Sequence, residues 1–311
     1  MKNLTLTILV VAAVAATWAQ KPDRKTVKME KQLVGSFVEV PAGHYMICSG
    51  IGDTTWVTLA AFRMLGVEVS NASYNLFLDD LKAKGRMADY EKAKIDTARA
   101  MPGLPTHYFT HPAYSLYPVA CVSYEGAILF CNWLTEKMGD EWEYTLPTKE
   151  QWKYAARSGK ASGFQYSMGY DEIFPDRNGN PMYTYLMVNV ACITMRDGHL
   201  EIIDKPFGRY EIERRALEYR LPTHIYSHHP NGLGLFNMCG NVAEMAYERG
   251  VAYGGSYLDP GYDIRIDSEK PYNGPSPLIG FRVIAVRNKI SFKRSMYSSA
   301  RESLPEATFW P

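Results

Sequence analysis

The fold of this chain is decided between Asn231 and Arg282, where glycines and a few polar residues recur at short intervals. The stretch reads NGLGLFNMCGNVAEM over residues 231–245, AYGGSY over 252–257 and LIGFRV over 278–283. Such closely spaced turn residues interrupt regular elements. The pattern predicts a C-terminal half of low regular structure with short strands near 183–190, 251–256 and 280–286, which bound ions would help to hold.

The composition of the chain limits the classes of protein to which it can belong. The chain has 311 residues, 46% of them apolar, which suffices for a full core. Its net charge of +1 does not indicate a basic surface for binding nucleic acid or a polybasic patch for binding membranes. The 22 tyrosines and six tryptophans suit a loop-rich fold with half-buried rings, and such rings also suit interaction surfaces.

The N-terminus has the pattern of a targeting segment. Residues 1–19 combine Lys2, an apolar stretch from Leu4 to Ala16 and small residues at a cleavage position, which predicts a secretory signal peptide; an uncleaved anchor is the alternative. We therefore expect an exported protein that is periplasmic and associated with the outer membrane, or extracellular. The first cysteine is Cys48, too far along for a lipidated mature N-terminus. The charged segment 20–33 is interpreted as a linker.

The elements of the N-terminal half are predicted from caps and periodicity. We expect a strand over 37–40, a helix opened by Ser70 and Asn71 and stopped at Gly85, and irregular chain from there to Pro112. Two further helices are predicted, over 124–137 after the cap Ser123 and from the cap Thr148 to Gly159.

The remaining segments complete the predicted organisation. Residues 34–286 form one domain, with a charged, partly helical surface insertion at 201–222, and residues 287–311 form a tail. Five cysteines leave at least one unpaired. Cys121 and Cys131 lie among apolar neighbours and are interpreted as small buried hydrophobes.

Several motifs, in this order, resemble the formylglycine-generating enzyme (sulfatase-modifying factor) family. They are VPAG at 40–43, EVSN at 68–71, PVACVSY at 118–124, LPTKEQWKYAAR at 146–157 and the glycine-rich stretch quoted above. The resemblance implies an α+β, FGE-sulfatase or C-type-lectin-like fold, with two or three packed helices and short antiparallel strands. Within the family, YFTHPAYSLYPV at 108–119 is similar to GldK/PorK-like proteins of the type IX secretion and gliding motility machinery.

The resemblance places two copper-binding cysteines of the family's oxidases after the GGS motif. In this chain those positions hold Asp259 and Ile264, and no cysteine follows Tyr257. Thiolates suit Cu(I), whereas a carboxylate is a hard ligand and isoleucine is none. We therefore expect a former active-site groove with no catalytic residues, and neither copper nor iron as a cofactor.

Calcium is the cofactor that the resemblance still implies, at two sites built from side-chain oxygens and backbone carbonyls. The alternative is that these residues only cap turns. The first site consists of Asn189, Val190, Asp197 and His199; the second consists of Asn237, Gly240, Val242 and Glu244.

A histidine cluster and a carboxylate-rich loop can each be interpreted either as a chemically active site or as an ordinary surface loop. His224, His228 and His229 lack the further ligands of a metal site, so an exposed loop is favoured. The carboxylates of LDPGYDIRID at 258–267 are able in principle to serve acid/base chemistry, but a solvated loop with an internal ion pair is favoured.

These observations predict a non-catalytic scaffold or interaction protein in an envelope assembly of the type IX secretion or gliding kind. Its partners are proteins, with a homo-oligomer as one possibility, no nucleic acid, and contact with the membrane only through partners. The insertion at 201–222 and Phe309-Trp310 are candidate contact surfaces. Two alternatives remain open: an enzyme of altered chemistry on the same fold, and a calcium-dependent carbohydrate or peptide binder.

Overall fold

The computed structural model describes residues 24–48, 54–100, 104–139, 141–160, 167, 192–196, 199–203, 221–259 and 263–288. Within these ranges the helices are α1 (Arg24–Leu33), α2 (Asn71–Ala83), α3 (Met87–Ala93), α4 (Tyr124–Met138) and α5 (Lys149–Ala156). The strands are β1 (Phe37–Val40), β2 (Gly43–Cys48), β3 (Thr54–Leu59), β4 (Phe62–Leu65), β5 (Trp142–Thr145), β6 (Cys192–Arg196), β7 (His199–Ile203), β8 (Ala243–Met245), β9 (Val251–Tyr253), β10 (Glu269–Pro271), β11 (Ile279–Phe281) and β12 (Ile284–Arg287). Short 3-10 turns lie at Thr97–Arg99 and Pro112–Tyr114.

Two four-stranded sheets organise the described chain, which has an α+β fold as predicted. The first has the order β1-β4-β12-β5 and is antiparallel throughout. The second has the order β10-β9-β8-β11, with β11 parallel to β8 and the other pairs antiparallel. The pairs β2-β3 and β6-β7 form separate antiparallel hairpins. Because β11 and β12 are separated by only two residues, they join the two sheets near Arg282.

The helix starts follow the predicted caps. The Ser70 hydroxyl accepts the amide of Ser73, and the Ser123 hydroxyl accepts the amide of Gly126. Thr148 forms a capping box with Gln151, in which each side chain accepts the other residue's backbone amide. Since these bonds satisfy amides that have no partner inside the helix, each cap fixes where its helix begins.

Aromatic side chains fill the core around the helices. On α2 and α4, Phe77, Phe130 and Trp133 pack with ring centroids 5.6 Å apart in each pair. A second cluster contains Trp152 of α5 stacked on Tyr253 of β9, at 5.6 Å. These buried rings dominate the apolar area removed from water, so they fix the helices against the two sheets.

The structure differs from the expectations in two described segments. Helix α1 occupies most of the predicted linker 20–33, because it packs Leu33 beside the core, an apolar contact that the charged composition obscured. Helix α3 and the turn at Thr97–Arg99 lie where irregular chain is predicted after Gly85; tertiary contacts with α4 order this short segment.

Other predicted segments are described only in part. Residues 201–203 of the predicted insertion belong to β7, paired with β6, and 204–220 lie outside the described residues. The signal segment 1–19, the strand near 183–190 and the tail beyond 288 also lie outside them. No helix in the described part of the chain has both the length and the apolar character needed to cross a membrane.

Candidate functional site

A buried ion pair lies where the two sheets meet. The Arg282 guanidinium donates to both oxygens of Glu244 at 2.7–3.1 Å, and both side chains are at most 1% exposed. Arg282 also donates to the carbonyls of Leu65 at 3.0 Å and Phe236 at 2.7 Å. The Trp152 indole donates to Glu244 Oε2 at 2.7 Å. Because a buried charge is tolerated only when it is paired and hydrogen bonded, this network accounts for the burial of both ions.

A second buried carboxylate lies beside this pair. Glu68 is fully buried and accepts the side-chain amides of Asn237 at 3.1 Å and Asn241 at 2.8 Å. Burial raises the pKa of Glu68 to about 7; the Glu244 charge acts in the same direction, and the Arg282 charge opposes it. Arg282 therefore pairs with Glu244, while burial favours the protonated form of Glu68 near neutral pH.

The second predicted calcium site coincides with this network. Glu244 already accepts from Arg282 and Trp152, and the Asn237 amide nitrogen donates to Glu68 and to the Ile225 carbonyl at 3.1 Å. A calcium ion that used Glu244 would therefore compete with the positively charged guanidinium of Arg282 for the same oxygens. Gly240 and Val242 are buried on the turn before β8, and calcium at this site stays a prediction.

Most residues of the first predicted calcium site lie outside the part of the chain that the structure describes. Asn189, Val190 and Asp197 lie outside the described residues, and His199 is placed only by its backbone, at the start of β7 opposite Arg196. This site also stays a prediction. Among the described residues, no group of three or more histidine, cysteine and acidic side chains is arranged to hold a metal ion.

Asp259 is paired with a lysine and a serine in a mostly buried position. Its Oδ2 accepts the backbone amide and the hydroxyl of Ser256, each at 2.7 Å. The Lys270 ammonium donates to both carboxylate oxygens at 2.6 Å. Asp259 and Lys270 are mostly buried, with side chains 16% and 24% exposed. The lysine therefore supplies the positive charge at the first of the two positions where the family's oxidases are expected to have a thiolate.

The second of those positions belongs to the core. Ile264 is fully buried and packs in the same cluster as Trp152. It also lies against Gly255, where a β-carbon would be 2.7 Å from Ile264 Cγ2. The donor set at these two positions, one carboxylate neutralised by lysine and one aliphatic side chain, does not fit Cu(I).

The close approach of Gly255 and Ile264 gives a stability prediction. Gly255 has φ +64°, and an added β-carbon would also be 3.0 Å from the carbonyl oxygen of Asp263. We expect Gly255→Ala to lower the free energy of unfolding by about 1–3 kcal/mol from crowding, in addition to roughly 1 kcal/mol of backbone strain. Gly85→Ala is the matched control, since Gly85 has φ +70° with no atom within 4 Å of an added β-carbon. Urea denaturation of both variants checks this, and equal losses would contradict the crowding.

Asp267 of this loop and Glu269 just after it make ion pairs with Lys153 and Arg157, whereas the sequence favours an ion pair within the loop. Asp267 pairs with Arg157 and, at 3.7 Å, with Lys153. Glu269 lies 3.9 Å from Lys153 and accepts the Tyr253 hydroxyl at 2.9 Å. Asp267 and Glu269 are more than half exposed, so these pairs are solvated.

The described thiols are inert. Cys121, Cys131 and Cys239 are free and buried, as expected for the first two. Burial raises the pKa of all three thiols, that of Cys121 to about 12. Because the thiolate is the form that binds metals and attacks electrophiles, these residues have little reactivity near neutral pH. Only the backbones of Cys48 and Cys192 are described, in β2 and β6.

The histidine cluster is a surface loop, as favoured from the sequence. His229 is exposed, whereas His224 and His228 are half-buried. The His224 Nδ1 accepts the amide of Tyr226 at 3.2 Å, and its ring contacts those of Tyr117 and Tyr226. These contacts make His224 part of an aromatic surface.

Sequence reasoning missed three of the residues that build the site. Glu68 and Arg282 stand inside motifs of the sequence and Lys270 stands outside them, and no motif marks any of the three as part of a site. A signal for Lys270 existed, because an aspartate in a half-buried turn needs a cation nearby. Glu68 and Arg282 gave no local signal, since their partners are distant in sequence: Arg282 and Leu65 are 217 residues apart.

Comparison with known proteins places the chain in a family. Over 131 residues it is 31% identical to the formylglycine-generating enzyme of Streptomyces coelicolor, a match that covers 41% of this chain and only 31% of that enzyme's length. Two solved structures share the fold: CarF (18% identity, TM-score 0.50, covering 80% of this chain and 97% of CarF) and PvdO from Pseudomonas aeruginosa (20% identity, TM-score 0.51, covering 80% and 93%). The model of the sulfatase-modifying factor enzyme 1-like domain matches residues 23–287, and the chain belongs to this family.

Proposed function

We propose that this chain is a non-catalytic interaction protein on the sulfatase-modifying factor scaffold. The observation that carries the proposal is the pairing of Asp259 with Lys270 and Ser256. Since Ile264 is buried in the core, neither of the positions that correspond to the copper-binding cysteines of the family's oxidases offers a thiol.

Cu(I) is not expected to bind at Asp259, because of the hardness of the carboxylate oxygens and the positive charge of Lys270. Cu(I) is bound by soft sulfur ligands, and a carboxylate oxygen is a poor substitute. Asp259 is also neutralised by Lys270, so a metal cation at this position would be repelled by the ammonium group unless that side chain moved. The three buried thiols in the described part of the chain are protonated near neutral pH and offer no alternative ligand.

The setting that we propose is a protein assembly of the cell envelope, of the type IX secretion or gliding kind. It is supported by the segment at 108–119, which resembles GldK/PorK-like proteins, and by the signal-like residues 1–19. The protein acts there after export, in the periplasm or at the outer membrane. Photo-crosslinking in the native envelope, followed by mass spectrometry, identifies its neighbours; recovery of the protein with no crosslinked partner counts against the assembly.

The direct test of the non-catalytic proposal is a turnover assay. The purified protein, supplied with copper and a reductant, is incubated with a Cys-x-Pro-x-Arg peptide, and the product is analysed by mass spectrometry. We expect no formylglycine, because Asp259 and Ile264 replace the thiols at the two positions where the family's oxidases are expected to hold the metal. The Streptomyces coelicolor formylglycine-generating enzyme, run in parallel, shows that the assay works. Formation of formylglycine by this chain at a comparable rate would refute the proposal.

A further inference from the structure

Two segments of the chain have no formal charge on their side chains. Residues 104–120 read LPTHYFTHPAYSLYPVA and residues 221–236 read LPTHIYSHHPNGLGLF, with no Asp, Glu, Lys or Arg in either. Charged residues make up 22% of the whole chain, so two such long segments are a marked local departure. The same two segments contain five of the seven histidines and several of the tyrosines.

The structure joins these segments into one surface. The Ile225 amide donates to the Leu116 carbonyl at 2.9 Å. Across this junction the rings of Tyr117 and His224 lie 6.2 Å apart, and His224 and Tyr226 follow at 5.9 Å. We define the uncharged aromatic face as His111, Tyr114, Leu116, Tyr117, His224 and Tyr226.

Large apolar groups of this face are open to solvent. Leu116 is 43% exposed and Tyr226 is 46% exposed. Three other residues of the face, Tyr114, Tyr117 and His224, are half-buried. Interfaces between proteins are enriched in aromatic residues and depleted of charge at their centres, and interfaces between identical chains are the more apolar ones.

Buried hydrogen bonds fix the loop that carries Tyr114, Leu116 and Tyr117 of this face. Tyr108 is fully buried and donates to the Pro118 carbonyl at 2.7 Å. The Asn71 amide donates to the carbonyls of Tyr108 and Tyr114 at 3.1 and 3.0 Å. Because this loop is fixed before any partner arrives, binding costs little ordering of the backbone.

We propose that the uncharged aromatic face binds a second copy of this chain in a twofold-symmetric dimer. In such a contact the same patch meets itself, so each residue near the axis faces its own copy. Any charged side chain there would meet a like charge, which is costly on burial. A different partner would tolerate charges of either sign if it carried the opposite ones, whereas self-association selects against both. The two charge-free segments satisfy that condition.

The test is the molecular mass in solution, which does not depend on any activity. Sedimentation equilibrium of the mature chain is expected to show a monomer–dimer equilibrium. Tyr226→Lys and, separately, Leu116→Lys place a cation in the face and are expected to weaken dimerisation by about tenfold or more. Tyr247→Lys is the matched control, since Tyr247 is 56% exposed and lies outside the face; it is expected to dimerise like the wild type. Unchanged urea midpoints establish that the variants are folded.

Each outcome decides the proposal. A wild-type chain that stays monomeric at high micromolar concentration overturns it, as does dimerisation that the face variants leave unchanged or that Tyr247→Lys weakens equally. A photo-crosslinker at position 226 gives an independent check. A product of twice the chain mass supports the dimer, whereas crosslinking only to a different protein or to a glycan assigns the face to that partner and overturns self-association.

Discussion

Replacing Arg282 by alanine is expected to lower the free energy of unfolding by about 3–5 kcal/mol, which is enough to prevent stable folding of a marginal domain. The guanidinium is fully buried and makes hydrogen bonds to Glu244 and to the carbonyls of Leu65 and Phe236. Its removal would leave the Glu244 carboxyl buried without its cation, and the carbonyls of Leu65 and Phe236 would lose their bonds from the guanidinium. Urea denaturation followed by circular dichroism measures the loss.

The control for this prediction is an exposed ion pair. Arg249 lies 2.6 Å from Glu125 with both side chains more than half exposed, so Arg249→Ala is expected to cost no more than about 1 kcal/mol. A loss for Arg282→Ala as small as that for Arg249→Ala would show that the buried pair is not organised as described here.

The stability of the protein is expected to fall as the pH rises from 5 to 8, because of Glu68. Its pKa is about 7 in the folded protein, against an ordinary value of 4.5. Between these values the folded state binds more protons than the unfolded state, so the free energy of unfolding decreases with pH. The contribution is fully present below pH 4.5 and is lost as the pH passes 7. Its full size is on the order of 3 kcal/mol.

Urea denaturation at several pH values checks this, in the presence of a chelator so that no divalent ion is bound. Glu68→Gln, which resembles the protonated form and does not titrate, is expected to show a flatter profile. Asp80 and Glu125 have lowered pKa values, so their effects have the opposite sign and fall in more acidic solution, outside this window. A wild-type profile that is no steeper than that of Glu68→Gln would contradict the raised pKa.

The local elements could be predicted from the sequence because their signals are local. Ser70, Ser123 and Thr148 cap the helices that follow them, and Gly85 has the left-handed conformation expected after α2. Helix α1 was missed because its apolar contact is small and its composition is that of a linker. Which strands pair, such as β12 between β4 and β5, depends on contacts between distant segments, so no local pattern reveals it.

The sequence predicts which positions of the site lack a thiol, but not which side chains pair with the residues found there. The alignment of the GGS motif identified Asp259 and Ile264 as positions without a thiol. That Lys270 neutralises Asp259, and that Arg282 pairs with Glu244, follows only from the folded arrangement. Glu68 shows the limit most clearly, because its pKa is raised by burial and by the charge of Glu244, a residue that is distant in sequence.

A measurement of Cu(I) affinity shows whether the positions of Asp259 and Ile264 form a soft metal site. The mature protein is titrated under reducing, anaerobic conditions against a coloured Cu(I) chelator, with the Streptomyces coelicolor enzyme as a comparison. We expect the chelator to keep all of the copper in the presence of this protein. Retention of one equivalent of Cu(I) by the wild-type chain, and its loss in a variant with Asp259→Ala, would show that a soft metal site exists at these positions.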